Sequence, residues 1–169
     1  MKFLECDLEE IIMKSNWEQL YERGLYLSDF KRNQVRIGNY GTADIITLEK
    51  GNYYNREDGR CVVLDKPTIS VYELKKDKVS LSSFAQACNY AKGVQDYFIS
   101  RGKTLSDYNW RIVLIGRDLD TDSSLCYFPN LFISNDDSSF SVKIYKYEYD
   151  LDGLKFTSVY NYSLIDKGF

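Results

Sequence analysis

Glu73 and Lys75, with Leu74 between them in "TISVYELKKDK" (residues 68–78), are a pair whose types and spacing suggest chemistry. In an extended strand Ile69, Val71, Glu73 and Lys75 share one side. That side runs from apolar to charged, as a face does when it leaves a core and enters a site. Asp44 opens a second apolar strand pattern, just after Gly41 in "GTADIITLEKG". Two carboxylates on neighbouring strands repel each other unless a cation sits between them. A few hard oxygen ligands suit Mg²⁺ (or Mn²⁺), which keeps its waters and takes its remaining ligands from a phosphate. An ammonium beside them can orient an attacking water or stabilise developing charge on a phosphorane-like transition state. Hydrolysis of a phosphodiester needs these parts and no histidine.

The chain contains no histidine at all, and its four cysteines (Cys6, Cys61, Cys88, Cys126) form no CxxC pair. This argues against a structural zinc site, a Ser-His triad and a Cys-His nucleophile, and leaves acid–base work to carboxylates, Lys or Tyr. The cysteines are expected to be reduced core residues. Net charge is −3 and the pI near 5.1. A protein held to nucleic acid by bulk charge is usually basic, so such binding here must be local. There is no long apolar run, and "MKFLECDLEE" lacks a signal-peptide core, which points to an intracellular, cytoplasmic protein.

The elements that must position these residues follow from periodicity. Leu4, Leu8, Ile11 and Ile12 predict a helix from about Leu4 to Lys14, with a second short helix or turn beginning at Ser15. "LYLSDFKRNQVRIGNYG" reads as an extended segment ending in a glycine-containing turn. "TADIITLEKG" and "TISVYELKK" are strands, and Asp58-Gly59 marks a turn between them. "SLSSFAQACNYAKGVQDYFISRG" is the clearest helix, with an apolar stripe of Phe84, Ala87, Cys88, Ala91, Val94, Tyr97 and Phe98, and Gly102 placed to cap its end. "WRIVLIGRDL" is a buried strand, a polar loop holds Thr121 to Ser124, and residues 140–162 form a hairpin turning at Asp152-Gly153. A helix crossing between the 68–76 and 110–116 strands predicts a parallel pair in a mixed sheet, within one α/β domain.

Four features stand in order along the chain: an acidic first helix with Glu5, Glu9 and Glu10; Asp44; Glu73-Leu74-Lys75; and Gln86 with Tyr90 in "QACNY". "GTAD … YELKK" resembles the G-x-x-D … (D/E)-x-K signature of the PD-(D/E)xK nuclease superfamily, which has the restriction-endonuclease-like fold. "QACNY" resembles the Q-x-x-x-Y motif of its RecB-like branch. "LECDLEEIIMKSNWEQLYERGLYL" is similar to the opening of NucS (EndoMS)-type nuclease domains. The resemblance covers about residues 3–116 and implies a restriction-endonuclease-like mixed sheet flanked by helices, with the strands of 125–165 added as a C-terminal hairpin to a single domain spanning 1–169. It implies a Mg²⁺-dependent deoxyribonuclease, with DNA as partner and a homodimer as a common assembly. Asp44 and Glu73, with the Leu74 carbonyl, would bind the metal. Lys75 would be the catalytic lysine, Gln86 and Tyr90 would support the site, and Glu5 or Glu9 would complete the acidic cluster. Two departures stand out: 28 residues separate Asp44 from Glu73, so an inserted hairpin must fill the gap, and Ala43 stands where the "P" of the signature would be.

Each motif also has a plainer reading. In it Glu73 and Lys75 belong to a solvated strand face, Asp44 caps a turn after Gly41, and the first-helix glutamates answer the helix dipole. Ser83-x-x-Gln86 fits a capping box, and Tyr90 fits the core. The alternative for the whole chain is an inactive nuclease fold acting as a nucleic-acid- or protein-binding module. The best local basic stretch is "FKRNQVR", holding Lys31, Arg32 and Arg36; with Lys76 near the proposed centre it supplies candidate phosphate contacts. Charge guarding a strand edge explains that stretch nearly as well. Arg111 and Arg117 flank the later strand. Tyr53, Tyr54, Tyr145, Tyr147 and Tyr149 are good strand formers first and base-stacking platforms second.

Overall fold

The computed structural model describes residues 4–28, 30–50, 52–54, 61–63, 66–120, 125, 128, 131–134, 138–151 and 153–159. Helix α1 spans Glu5–Lys14 and α2 spans Trp17–Glu22. The Asp7 carboxylate accepts the Leu4 N–H at 2.7 Å, holding the start of α1. Leu8 and Ile12, four residues apart on one face, are fully buried, and burying a side chain of this size contributes about 1.5–3 kcal/mol. The second helix begins one residue later than the sequence suggests. Asn16, not Ser15, is its cap, paired reciprocally with Gln19.

Strand β1 (Lys31–Arg36) leads through a 3-10 turn (Gly38–Tyr40) into β2 (Thr42–Glu49). Strands β3 (Asn52–Tyr54) and β4 (Cys61–Val63) pair antiparallel as a separate two-stranded sheet, the insertion expected between Asp44 and Glu73. The turn expected at Asp58-Gly59 lies outside the described residues. Then come β5 (Thr68–Leu74), β6 (Lys78–Val79), α3 (Leu81–Ser100), β7 (Asn109–Gly116), β8 (Asp118–Leu119), β9 (Phe132–Ser134), β10 (Ser139–Asp150) and β11 (Gly153–Ser158). The polar loop of Thr121 to Ser124 and the turn residue Asp152 lie outside the described residues.

The main sheet runs β1-β2-β5-β7-β10-β11, with β9 also on β10. Strands β1, β2 and β5 are successively antiparallel, while β5–β7 and β7–β10 are parallel. The crossover through α3 is the one the sequence predicts. The C-terminal hairpin, expected as an addition to the core, instead carries the sheet onward, because β10 pairs with β7 over seven positions from Phe140↔Trp110 to Lys146↔Gly116. This covers what would otherwise be a bare edge of β7.

Central strand β5 is buried at all seven positions. Ile69 and Val71 join a core beneath α3 that includes Ala87, Ala91, Val94, Ile112 and Leu114. Tyr72 and Leu74 face the other way, into a core with Leu8, Ile12, Leu20 and Val113. Helix α3 is capped by Ser80, whose hydroxyl accepts from Ser83 N–H, so the cap lies three residues before the Ser83-Gln86 box suggested by sequence. Gly102 follows its C-cap Arg101 with φ 69°. Of the predicted stripe, Tyr97 is 54% exposed, while Phe84, Cys88 and Phe98 pack at the margin of the core. Cys6, expected inside, is exposed; Cys61 and Cys126 have no described side chains.

Arg111 corrects another expectation. Expected to flank the later strand, it lies within β7, and its Nη1 is 2.8 Å from both oxygens of buried Glu49, which also accepts from Ser70 Oγ at 3.2 Å. This ion pair occupies the α1 face, at the end of β2 and β5 remote from Asp44. Removing one partner would strand the other charge in the core.

Gly93 sets how closely α3 approaches the 3-10 turn. A Cβ there would stand 2.5 Å from Ile37 Cγ2 and 2.7 Å from Tyr40 Cγ. The Tyr40 ring is fixed at its far end by a hydrogen bond to Asp96, so it cannot swing aside freely. Gly93→Ala is therefore expected to destabilise the protein by about 1–3 kcal/mol through overpacking, although alanine is the better helix former by about 1 kcal/mol. Urea denaturation measures this, and a stabilised Gly93→Ala would contradict the packing described.

Candidate functional site

The ladder between β2 and β5 runs from Glu49↔Thr68 to Ile45↔Tyr72. One more step of that register would set Asp44 opposite Glu73. There the ladder stops, and the Asp44 side chain replaces it: Oδ2 accepts the Leu74 N–H at 2.7 Å. The two carboxylates named from sequence are therefore neighbours at the point where β2 parts from β5. Leu74 contributes its N–H here; the sequence-based expectation had concerned its carbonyl.

Glu73 is 1% exposed. Its Oε1 meets Lys75 Nζ at 2.6 Å, while Oε2 is buried without a hydrogen-bond partner in the protein. Lys75 sits just beyond the end of β5, with its backbone N–H on the Ile115 carbonyl at 2.8 Å and its side chain 28% exposed. Glu5, in the first turn of α1, accepts the Lys76 N–H at 3.1 Å. From the other side, the Tyr147 hydroxyl donates to the Lys76 carbonyl at 2.5 Å. Three distant parts of the chain thus meet around residues 73–76.

The electrostatics follow from this geometry. Burial pushes the Glu73 carboxyl up to about 7; the Lys75 hydrogen bond opposes this, and the charges of Asp44 and Glu5 add to it. Asp44 is also held above the usual carboxylate range, by burial first, against the Leu74 N–H, with Glu5 and Glu9 raising it further. Burial pulls Lys75 down, but the Glu73 hydrogen bond and charge, with Glu5 and Asp44 behind them, outweigh it and hold the ammonium above its ordinary range. At neutral pH Lys75 is a cation and a donor, not a base.

Glu9 occupies a different position from Glu5. Its two oxygens accept from Asn33 Nδ2, at 2.6 Å, and from Gln34 Nε2 on β1. Both glutamates bear on Asp44, but Glu5 also bears on Glu73 and Lys75. On α3, Gln86 Nε2 donates to the Tyr90 hydroxyl at 2.6 Å, and the Tyr90 ring lies against Gly41, where a Cβ would stand 2.9 Å from Cε1. These two residues buttress the turn that delivers Asp44, and Gln86 has no part in capping the helix. Glu10 pairs with Lys14 on the surface, away from this group.

The basic candidates separate. Lys31 Nζ donates to the Ile12 and Ser15 carbonyls and so closes the C-terminal end of α1. Arg32 and Arg36 are exposed on β1, and Lys76 is half-buried in the site turn. Of the tyrosines, Tyr147 is buried and Tyr149 is 67% exposed; the side chains of Tyr53 and Tyr54 lie outside the described residues. Sequence reasoning missed Asn33 and Gln34. Gln34 has φ 48°, a left-handed backbone that periodicity does not reveal.

Hard carboxylate donors and an orphaned, buried Glu73 oxygen are the chemistry that suits Mg²⁺ or Mn²⁺. Among the described residues no three His, Cys, Asp or Glu side chains are drawn together tightly enough to enclose an ion. As placed, Asp44 turns to the Leu74 N–H and Glu73 to Lys75.

A proton held by folded Glu73 but released by the unfolded chain makes stability fall as pH rises from about 4.5 to about 7. The contribution is about 2–3 kcal/mol. Glu73→Gln, which carries no ionisable proton, is expected to gain on the wild type across that window in metal-free buffer. Urea denaturation at pH 5 and pH 8 reads the gap between the two proteins, and a gap independent of pH would refute the burial argument.

Comparison with protein-family models, with curated proteins and with solved structures returns no match. The reading of this site therefore stands on its own residues: two desolvated carboxylates, a third from α1, and one ammonium between them and solvent.

Proposed function

We propose that the protein is a Mg²⁺-dependent DNA nuclease of the PD-(D/E)xK type, hydrolysing phosphodiester bonds. The observation that carries the reading is the meeting of Glu5, Asp44 and Glu73 around Lys75, with one oxygen of Glu73 left buried and unbonded. Such a set has a deficit of positive charge that a divalent cation would make good.

Asp44 and Glu73 would hold the metal, with Glu5 completing the acidic set; bound there, Mg²⁺ (or Mn²⁺) would supply Lewis acidity toward the phosphate and a more acidic water. Lys75, protonated and partly exposed, orients the attacking water and faces the charge that develops on the phosphate oxygens. Glu73 keeps that ammonium in place through the 2.6 Å contact. Gln86 and Tyr90 hold the Gly41 turn and thereby the start of β2. Arg32 and Arg36, exposed on β1, and Lys76 beside the acids are the phosphate contacts this reading assigns. Lys31 is committed to the end of α1 and is not among them.

The test is cleavage of single-stranded, duplex, mismatched and branched DNA with Mg²⁺ or Mn²⁺. Wild type is expected to nick or degrade at least one substrate, and Lys75→Ala to lose about 100-fold or more, since a positioned proton donor or charge stabiliser contributes at least that much. Lys75→Ala removes a side chain that is 28% exposed and bound to Glu73, so its folding is checked by circular dichroism and melting. If wild type and Lys75→Ala are equally inert on every substrate, the nuclease reading fails and a binding role on the same scaffold replaces it.

A further inference from the structure

Gln34 is the one described non-glycine residue with positive φ, at 48°. It lies inside β1, where an extended backbone would be ordinary. Pairing with β2 is regular on both sides, Asn33↔Ile45 before it and Val35↔Ala43 after it. The position directly across from Gln34 is Asp44, and that pair is missing from the ladder. A regular strand would point residues 33 and 34 to opposite faces. The left-handed turn of the backbone at Gln34 lets both reach the same carboxylate, so that Asn33 and Gln34 each donate to a different oxygen of Glu9. Beyond it the faces are reset: Val35 and Ala43 enter the core beneath α3, whereas Ile45 enters the core beneath α1.

We infer that Asn33 and Gln34 form a clamp whose strained backbone fixes Glu9 beside Asp44, making Gln34 a positioning residue of the site. The inference rests on the nuclease reading for its purpose and on β1 geometry for its substance. Left-handed conformations in residues with a Cβ persist where the surroundings over-determine them, and they gather at functional sites. Here the surroundings are identifiable: two amides bound to one carboxylate, across from a half-buried aspartate whose neighbour Glu73 has an unbonded, buried oxygen. The Glu9 hydrogen bonds run to Asn33 and Gln34 on β1, whereas it is Glu5 that holds the Lys76 turn. Glu9 adds negative charge to the site from outside, and the clamp keeps that charge from relaxing away from Asp44.

A clamp of this kind separates stability from function, which a merely structural residue would not do. Gln34→Gly removes both the amide and the backbone penalty. Expected in EDTA is a higher melting temperature than wild type. Expected by calorimetric titration with Mg²⁺ alone is an affinity about 5- to 10-fold weaker, the size of losing one nearby charge facing a divalent ion across partly solvated protein. Glu9→Gln is expected to weaken Mg²⁺ by a similar factor, and Gln34→Gly/Glu9→Gln to be no weaker than either alone, because both act through one carboxylate. Unchanged Mg²⁺ affinity in Gln34→Gly, or full additivity in the double variant, overturns the proposal. If wild type binds no Mg²⁺, the nuclease reading fails, and the clamp is read in EDTA instead. There, Glu9→Gln should be more favourable to melting temperature with Asp44 present than in an Asp44→Asn background, and Gln34→Gly should erase that difference. Absence of the difference overturns the clamp.

Discussion

Two poorly solvated carboxylates, placed where paired strands part, govern the arrangement of the groups around them. Asp44 and Glu73 stand at the end of the β2–β5 ladder, each less ready to ionise because water is scarce there, with the Asp44 charge adding to the effect on Glu73 and the Glu5 charge adding to both. The protein answers with one backbone N–H for Asp44 and one ammonium for Glu73. That is partial compensation, and the unbonded Glu73 oxygen is what remains.

The same two strands show what full compensation looks like. Glu49, five residues beyond Asp44 on β2, is as buried as Glu73, yet it has the Arg111 guanidinium on both oxygens and the Ser70 hydroxyl besides. One end of the ladder therefore carries an acid matched by a cation on the neighbouring β7, and the other carries acids from α1, β2 and β5 with a single lysine. A fold that neutralises one buried carboxylate so completely is capable of neutralising another. The Glu49 end has orphans of its own in Thr47 Oγ1, the Tyr72 hydroxyl and Arg111 Nε, but they are neutral or cationic groups, so the two ends differ in that, among the described residues, only the Asp44–Glu73 end leaves a carboxylate oxygen unbonded.

Much of this was legible in the chain because it depends on local pattern. Helical spacing gave α1 and α3, alternation and apolar runs gave β2, β5 and β7, and the helix between two buried strands implied their parallel pairing. Asp44, Glu73 and Lys75 could be named because type and spacing carry their chemistry. What stayed hidden depends on partners far away in sequence. Arg111 looks like a surface charge until Glu49 is placed beside it, and Lys31 like a phosphate contact until the last turn of α1 comes within reach. The β10 strand reads as half of a local hairpin because nothing in its sequence announces that β7 lies on its other side. Gln34 was invisible for a different reason: its left-handed backbone sits inside a strand, and no propensity of glutamine foretells it.

The turn at Lys76 is tied at both ends of its peptide by residues 71 positions away, Glu5 toward the start of the chain and Tyr147 toward its end. Neither tie can form from a neighbourhood of the sequence. A growing chain exposes Glu5 early, makes β5 midway, and supplies Tyr147 only after β10 has followed β7 into the sheet. The Lys76 turn therefore gains its second tie only when residue 147 is present, and a copy that stops short of β10 carries Glu5, Asp44, Glu73 and Lys75 without that tie.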